Sequence, residues 1–190
     1  MHTGRLVLSP EDPFYLPDSV NRMIEQLRNI QFCRESIPAQ NGQHYLLGDR
    51  FMQLVSFMGC SPSIHLEPTP DGLPFCHLII DGPHPSPIFL QGRNTGSPRC
   101  ECCRKRIPHW QESIEHCRVN PENCLADCPH CGHRQHPLTY DWRQSAGSGR
   151  LFLLIENIFP NEAIPSPELL KALASFGKQG VPWSYFYIQD

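Results

Sequence analysis

The sequence predicts an α+β fold: a small mixed sheet, two to three helices, a C-terminal β-α-β unit, and a cysteine-rich module inserted between two halves. Three observations lead there. Short apolar runs bounded by Pro and Gly turns occur in both halves of the chain. Amphipathic stretches with capping residues stand near each end. Between residues 98 and 136, Cys, His and charge replace aliphatic side chains. Residues 1–97 and 137–190 are therefore assigned to one α+β domain, and 98–136 to the insert.

The elements follow in order. Val20, Met23, Ile24, Leu27 and Ile30 share a helical face, with Asp18 as the expected N-cap. "GDRFMQLVSFMG" predicts a short buried helix from Asp49 to a stop at Gly59. "SIHLEPTPDGLPFCHLIIDG" predicts two strands around a Pro70-Asp71-Gly72 turn, and "PIFLQG" a third. After the insert, "PLTYDW" predicts a strand, "RQSAGSG" a turn and "RLFLLIENIF" a long apolar strand. Ser166, Pro167 and Gly177 punctuate a helix over "SPELLKALASFG", and "PWSYFYIQ" closes the chain as a strand. Strand, helix and strand make the β-α-β unit, with a right-handed crossover as the default.

Composition narrows the function. The 190 residues carry a net charge of −3 with 18% charged residues, which excludes a strongly basic coat for nucleic acid. The 20 prolines are dispersed through turns, so they indicate a loop-rich fold and not a disordered tract. No N-terminal signal run and no segment of about 18 apolar residues stands out, so the expected location is the cytoplasm, away from membranes. Thiols stay reduced there, and ten cysteines then point to metal before disulfides. Seven of them fall between Cys100 and Cys131; Cys33, Cys60 and Cys76 sit among apolar neighbours as core residues.

Cys100-x2-Cys103 and Cys128-x2-Cys131 are two knuckles of the kind that deliver four thiolates to one tetrahedral ion. In "CPHCGH", Pro129 fixes one backbone angle and Gly132 permits a positive φ beyond the second sulfur. The first knuckle has Arg104 where Gly often stands. These paired knuckles resemble the zinc-ribbon class, and "CPHCG" resembles a rubredoxin knuckle, over about 35 residues. The expected cofactor is one structural Zn2+, ahead of iron, held by Cys100, Cys103, Cys128 and Cys131. Cys102, Cys117 and Cys124 remain as spare thiols, as substitute ligands in the first knuckle, or as part of a second site with nearby histidines. Four thiolates close the metal's shell, and no catalytic constellation accompanies them, so no catalytic residue is assigned.

Arg104, Lys105 and Arg106 either offset thiolate charge, face water, or contact phosphate. From Arg99 to His136 there are six Lys/Arg against five Asp/Glu, too even for a dedicated nucleic-acid face. Trp183, Tyr185 and Tyr187 alternate with Phe186 and Ile188, which suits a central strand better than an exposed stacking platform. "AGSGR" precedes a strand and lacks the helix N-terminus of a phosphate loop. The leading expectation is a zinc-binding, non-catalytic protein with a protein partner. A nucleic-acid-associated factor and a redox-responsive or metal-handling protein are the alternatives.

Overall fold

The computed structural model describes residues 4–39, 42–58, 64–176 and 180–190. The first half runs β1 (Gly4–Pro10), α1 (Val20–Asn29), β2 (Cys33–Ile37), β3 (Gln43–Leu47), α2 (Phe51–Leu54), β4 (Val55–Phe57), β5 (His77–Asp81) and β6 (Ile88–Gln91). Next come α3 (Trp110–Val119), β7 (Ala126–Asp127) and β8 (Arg134–Gln135). The chain closes with β9 (Ala146–Gly149), β10 (Phe152–Glu156), β11 (Ala163–Pro165), α4 (Pro167–Ser175) and β12 (Trp183–Gln189). The class is α+β as expected. No described helix is long and apolar enough to cross a membrane.

Six strands form the main sheet in the order β12-β1-β10-β5-β3-β2, and each neighbouring pair is antiparallel. β10 and β12 therefore run parallel to one another with β1 between them. The β-α-β unit exists, but split by the N-terminal strand. Leu6, Val7 and Leu8 of β1 are all fully buried, because both faces of a central strand are covered. Each such aliphatic side chain contributes about 1.5–3 kcal/mol through burial.

Alternate residues reach two different cores. Leu6 and Leu8, Leu153 and Ile155, and Leu78 and Ile80 join Met23, Leu27, Phe51, Leu54, Leu169 and Leu173 beneath the helices. Val7, Phe152, Leu154, Phe186 and Ile188 face the other way, against Ile88 and Leu90 of β6. β6 pairs with β9, from Ile88↔Gly149 to Gln91↔Ala146, to make a ribbon over that second face. Trp183 and Tyr187 are buried beneath α4, so they are core and not a stacking platform, but β12 is an edge strand of the sheet and not the central one expected; the Tyr187 hydroxyl donates to Ala163 O at 2.6 Å.

Several local expectations give way to pairing at a distance. Ser19, not Asp18, caps α1, accepting from Arg22 N at 3.2 Å. The helix expected from Asp49 stops after one turn, since Val55–Phe57 instead pairs with β11; Gly59 and Cys60 lie outside the described residues. The turn at Pro70-Asp71-Gly72 forms, with Gly72 N on Thr69 O at 3.0 Å. Its two arms do not both become strands. Residues 64–66 are irregular, tied by Cys76 N to His65 O at 2.7 Å. Pro137–Thr139 is a single 3-10 turn where a strand was expected, and Ala146–Gly149 is a strand where a turn was expected. Glu156 is mostly buried and binds the guanidinium of Arg5. The expected stop of α4, Gly177, lies outside the described residues.

Candidate metal centre

Two loops built on one plan carry the four thiols. In the first, Arg104 N donates to Cys100 O at 2.9 Å and Cys100 N to Lys105 O at 3.0 Å. In the second, Gly132 N donates to Cys128 O at 2.9 Å and Cys128 N to His133 O at 2.8 Å. The same closure demands the same backbone: Gly132 has φ 70° and Arg104 φ 59°. A side chain in this left-handed region costs about 1–2 kcal/mol. The Arg104 guanidinium is itself held by Asp141 at 2.9 Å. Arg104 thus occupies the glycine position of a regular knuckle.

Each loop sits on a two-strand clamp. β7 and β8 pair through Ala126↔Gln135 and Asp127↔Arg134, and the Arg134 guanidinium grips both oxygens of Asp127 at 2.8 and 3.2 Å. Around the first knuckle, Arg99 bridges to Arg106 and to Asp141. An aromatic floor lies beneath the sulfurs: Trp110, Tyr140 and Trp142 cluster with Cys100, Cys128, Ile107 and Ala146, with Phe89 of the ribbon packed alongside. Trp110 and Trp142 meet edge-on at 4.8 Å between centroids. Cys100 is fully buried in this floor, whereas Cys131 is exposed.

The Sγ atoms of Cys100, Cys103, Cys128 and Cys131 all lie within 4.8 Å of one another. Cys100 and Cys131 are 3.7 Å apart, and Cys103 and Cys128 are 3.8 Å apart. A regular tetrahedron with metal–sulfur bonds of ~2.3 Å sets its sulfurs about 3.8 Å apart. The donor set therefore fits a tetrahedral ion that accepts thiolates. Burial raises the Cys128 thiol, but hydrogen bonds from the backbone N–H groups of His130 and Cys131 and from neighbouring thiols outweigh it and bring it to about 7. Despite a backbone hydrogen bond from His133, the same crowding of thiols pushes Cys131 up to about 12, so the proton is shared across the cluster. A thiolate is the form that binds metal.

The other sequence candidates separate. Cys102 is exposed and stands outside the cluster. Cys117 and Cys124, expected as spare thiols or substitute ligands, are instead joined as a disulfide, because α3 brings their Cα atoms to 5.1 Å. Neither can replace a knuckle sulfur while so bonded. Three of the nearby histidines have structural partners: His130 with Arg106 O at 3.0 Å, His133 with Glu101 at 2.8 Å, and His136 with Pro121 O at 2.6 Å. Among the described residues no second group of metal ligands forms.

The basic triplet divides as well. Arg104 is paired with Asp141, Lys105 is exposed, and Arg106 is exposed on a backbone bridge to Arg99. Sequence reasoning did not find Asp141, Tyr140 or Trp142, which are brought to the knuckles only by the returning chain. Their one local signal was an aromatic pair in "TYDW". Compared with models of known families, with curated proteins and with solved structures, the chain matches none.

Proposed function

We propose that this chain is a zinc-binding, non-catalytic protein. One structural Zn2+ staples residues 98–136 as a ribbon-like module within an α+β domain drawn from 1–97 and 137–190. The observation that carries this reading is the set of sulfur separations, 3.7 and 3.8 Å, between knuckles far apart in sequence. Four thiolates complete a tetrahedral shell and leave no position for a substrate. Iron accepts the same ligands. Zinc is favoured because Cys131 stands open to water on a short irregular module, a setting for a staple and not for a shielded electron carrier.

The module's outer surface is read as a protein contact. Val119 is 83% exposed and Leu125 60% exposed, on and beside the loop closed by Cys117 and Cys124. Apolar side chains held in water on a constrained loop suit a partner surface. The nucleic-acid alternative has less behind it, since Arg104 is already paired with Asp141 and the stretch from Arg99 to His136 is nearly balanced in charge. Among the described residues the redox alternative rests on Cys102 and the Cys117–Cys124 disulfide, because burial pushes the Cys33 thiol up to about 11 and the Cys76 thiol up to about 12.

Metal analysis of the purified chain tests the reading. The expected result is one zinc per chain, kept in Cys102→Ser and lost in Cys128→Ser. Two metals, iron, or a full complement of zinc in Cys128→Ser would sink it. The contact surface is tested separately: a partner held by the wild type should be released by Val119→Asp with Leu125→Asp while zinc content stays the same.

A further inference from the structure

We propose that the cavity beside the first knuckle is an anion site for a phosphate group carried by a small molecule. The cavity holds about 330 Å³ and is lined by Arg99, Arg106 and Arg143 together with Trp142, Ser97 and Ser145. No Asp or Glu lines it. Three arginines from separate positions in the chain line it. Arg99 precedes the first knuckle and Arg106 follows it, and a backbone bridge sets them side by side. Arg143 arrives from the corner after Trp142, with φ 51°, where Asp141 Oδ1 accepts its backbone N–H at 3.0 Å.

The donors here lack acceptors. Among the described residues none of these three arginines pairs with a carboxylate. Arg99 donates from one terminal nitrogen to Arg104 O at 3.3 Å, but its Nε is buried with no partner. The indole Nε1 of Trp142 is also buried and unpartnered, in a residue only 6% exposed. The nearest acid is already engaged, since Asp141 takes Arg104 through one oxygen and the Arg143 backbone through the other.

Guanidinium and indole are donors only, so the cavity calls for a ligand rich in acceptors. A buried donor without a partner is a cost that native structures rarely carry. A carboxylate engages one guanidinium fork; a tetrahedral oxyanion presents enough oxygens for several forks and an indole N–H. The volume lies near the lower end of small-molecule sites, roughly 300–1,000 Å³, which admits a phosphate and a modest organic body. Offsetting the charge of the thiolates does not explain the arrangement. It would involve Arg99 and Arg106 on the knuckle, but it requires neither Arg143 nor a buried indole donor.

This site goes beyond the zinc reading but shares the first knuckle with it, so metal content is measured on the same samples. The full chain is titrated calorimetrically at low salt with inorganic phosphate, adenosine monophosphate and a short single-stranded oligonucleotide. Phosphate or the nucleotide should bind once per chain. Arg143→Gln and Arg99→Gln should each weaken binding roughly tenfold or more. Lys105→Gln removes an equal charge close by without touching the cavity, and should change binding less than about twofold. Equal weakening by Lys105→Gln overturns the proposal, because attraction would then be diffuse. So does absence of binding, whatever the metal content. An oligonucleotide that binds more tightly than the mononucleotide through Arg143 also overturns the small-molecule ligand. A sample without zinc that binds phosphate would sink the zinc reading and leave this one standing.

Discussion

Gly147 is where the ribbon that carries the metal module touches the main sheet, and replacing it by Ala tests that contact. A Cβ at this position would lie 2.3 Å from Phe186 Cε1, 2.7 Å from Cδ1 and 2.8 Å from Cζ. Carbons meet comfortably at ~3.5 Å or more, so about 1.2 Å of movement is demanded. The Phe186 ring has little room to give it. It is 3% exposed and stands edge-on to the fully buried Phe152, with centroids 6.4 Å apart. Overpacking of this kind costs about 1–3 kcal/mol. Against that, exchanging Gly for Ala restricts the unfolded chain and returns about 0.4–1 kcal/mol. The steric effect wins, for a net loss of about 1–2 kcal/mol.

Urea unfolding measures it as a lower midpoint at unchanged slope. Two companions sharpen the test. Gly96→Ala adds a methyl that meets nothing within 4 Å, so it should be neutral or stabilising by up to about 1 kcal/mol. Gly147→Ala with Phe186→Leu should be more stable than the sum of the single variants by at least about 0.5 kcal/mol, since the smaller side chain clears the methyl. If Gly147→Ala matches Gly96→Ala, or the pair is additive, the ribbon does not pack on the sheet as described.

Two further outcomes follow from particular side chains. Burial raises Cys33 to about 11, Cys76 to about 12 and Tyr187 to about 12, from ordinary values of 9.0 for the thiols and 10.0 for the phenol. The folded chain holds these protons more tightly than the unfolded chain. Their contribution is complete below pH 9 and is lost as pH rises from 9 toward 11–12; urea midpoints that stay level to pH 11 would refute this. Arg104→Gly relieves a left-handed backbone at φ 59° and gives up a largely exposed ion pair to Asp141. Backbone relief of about 1 kcal/mol against a pair worth about 0–1 predicts an unchanged or slightly higher unfolding midpoint with zinc retained. A clear loss of stability would show that the pair, not the loop geometry, holds the first knuckle.

The sequence by itself determined what short spacing controls. Two Cys-x2-Cys loops close through hydrogen bonds to residues four and five positions on, so their form was legible from a dozen residues each. The apolar stripe of α1, the Ser166-Pro167 start of α4 and the alternation along β12 are local too, and all three formed. The tertiary structure decided everything that depends on a distant partner. β1 reads as a brief apolar run that periodicity cannot assign, and only its place between β10 and β12 makes it the strand that splits the β-α-β unit. "AGSG" carries turn residues, yet it is a strand because its glycines let β9 lie against Phe186 and Phe152. Cys117 and Cys124 could not be told from Cys102 as spare thiols until the fold set their Cα atoms 5.1 Å apart. Arg99, Arg106 and Arg143 carry no common signal in sequence. Like charges are brought to one cavity only where the folding of the surrounding chain outweighs their repulsion, and that balance is struck among contacts no short stretch contains.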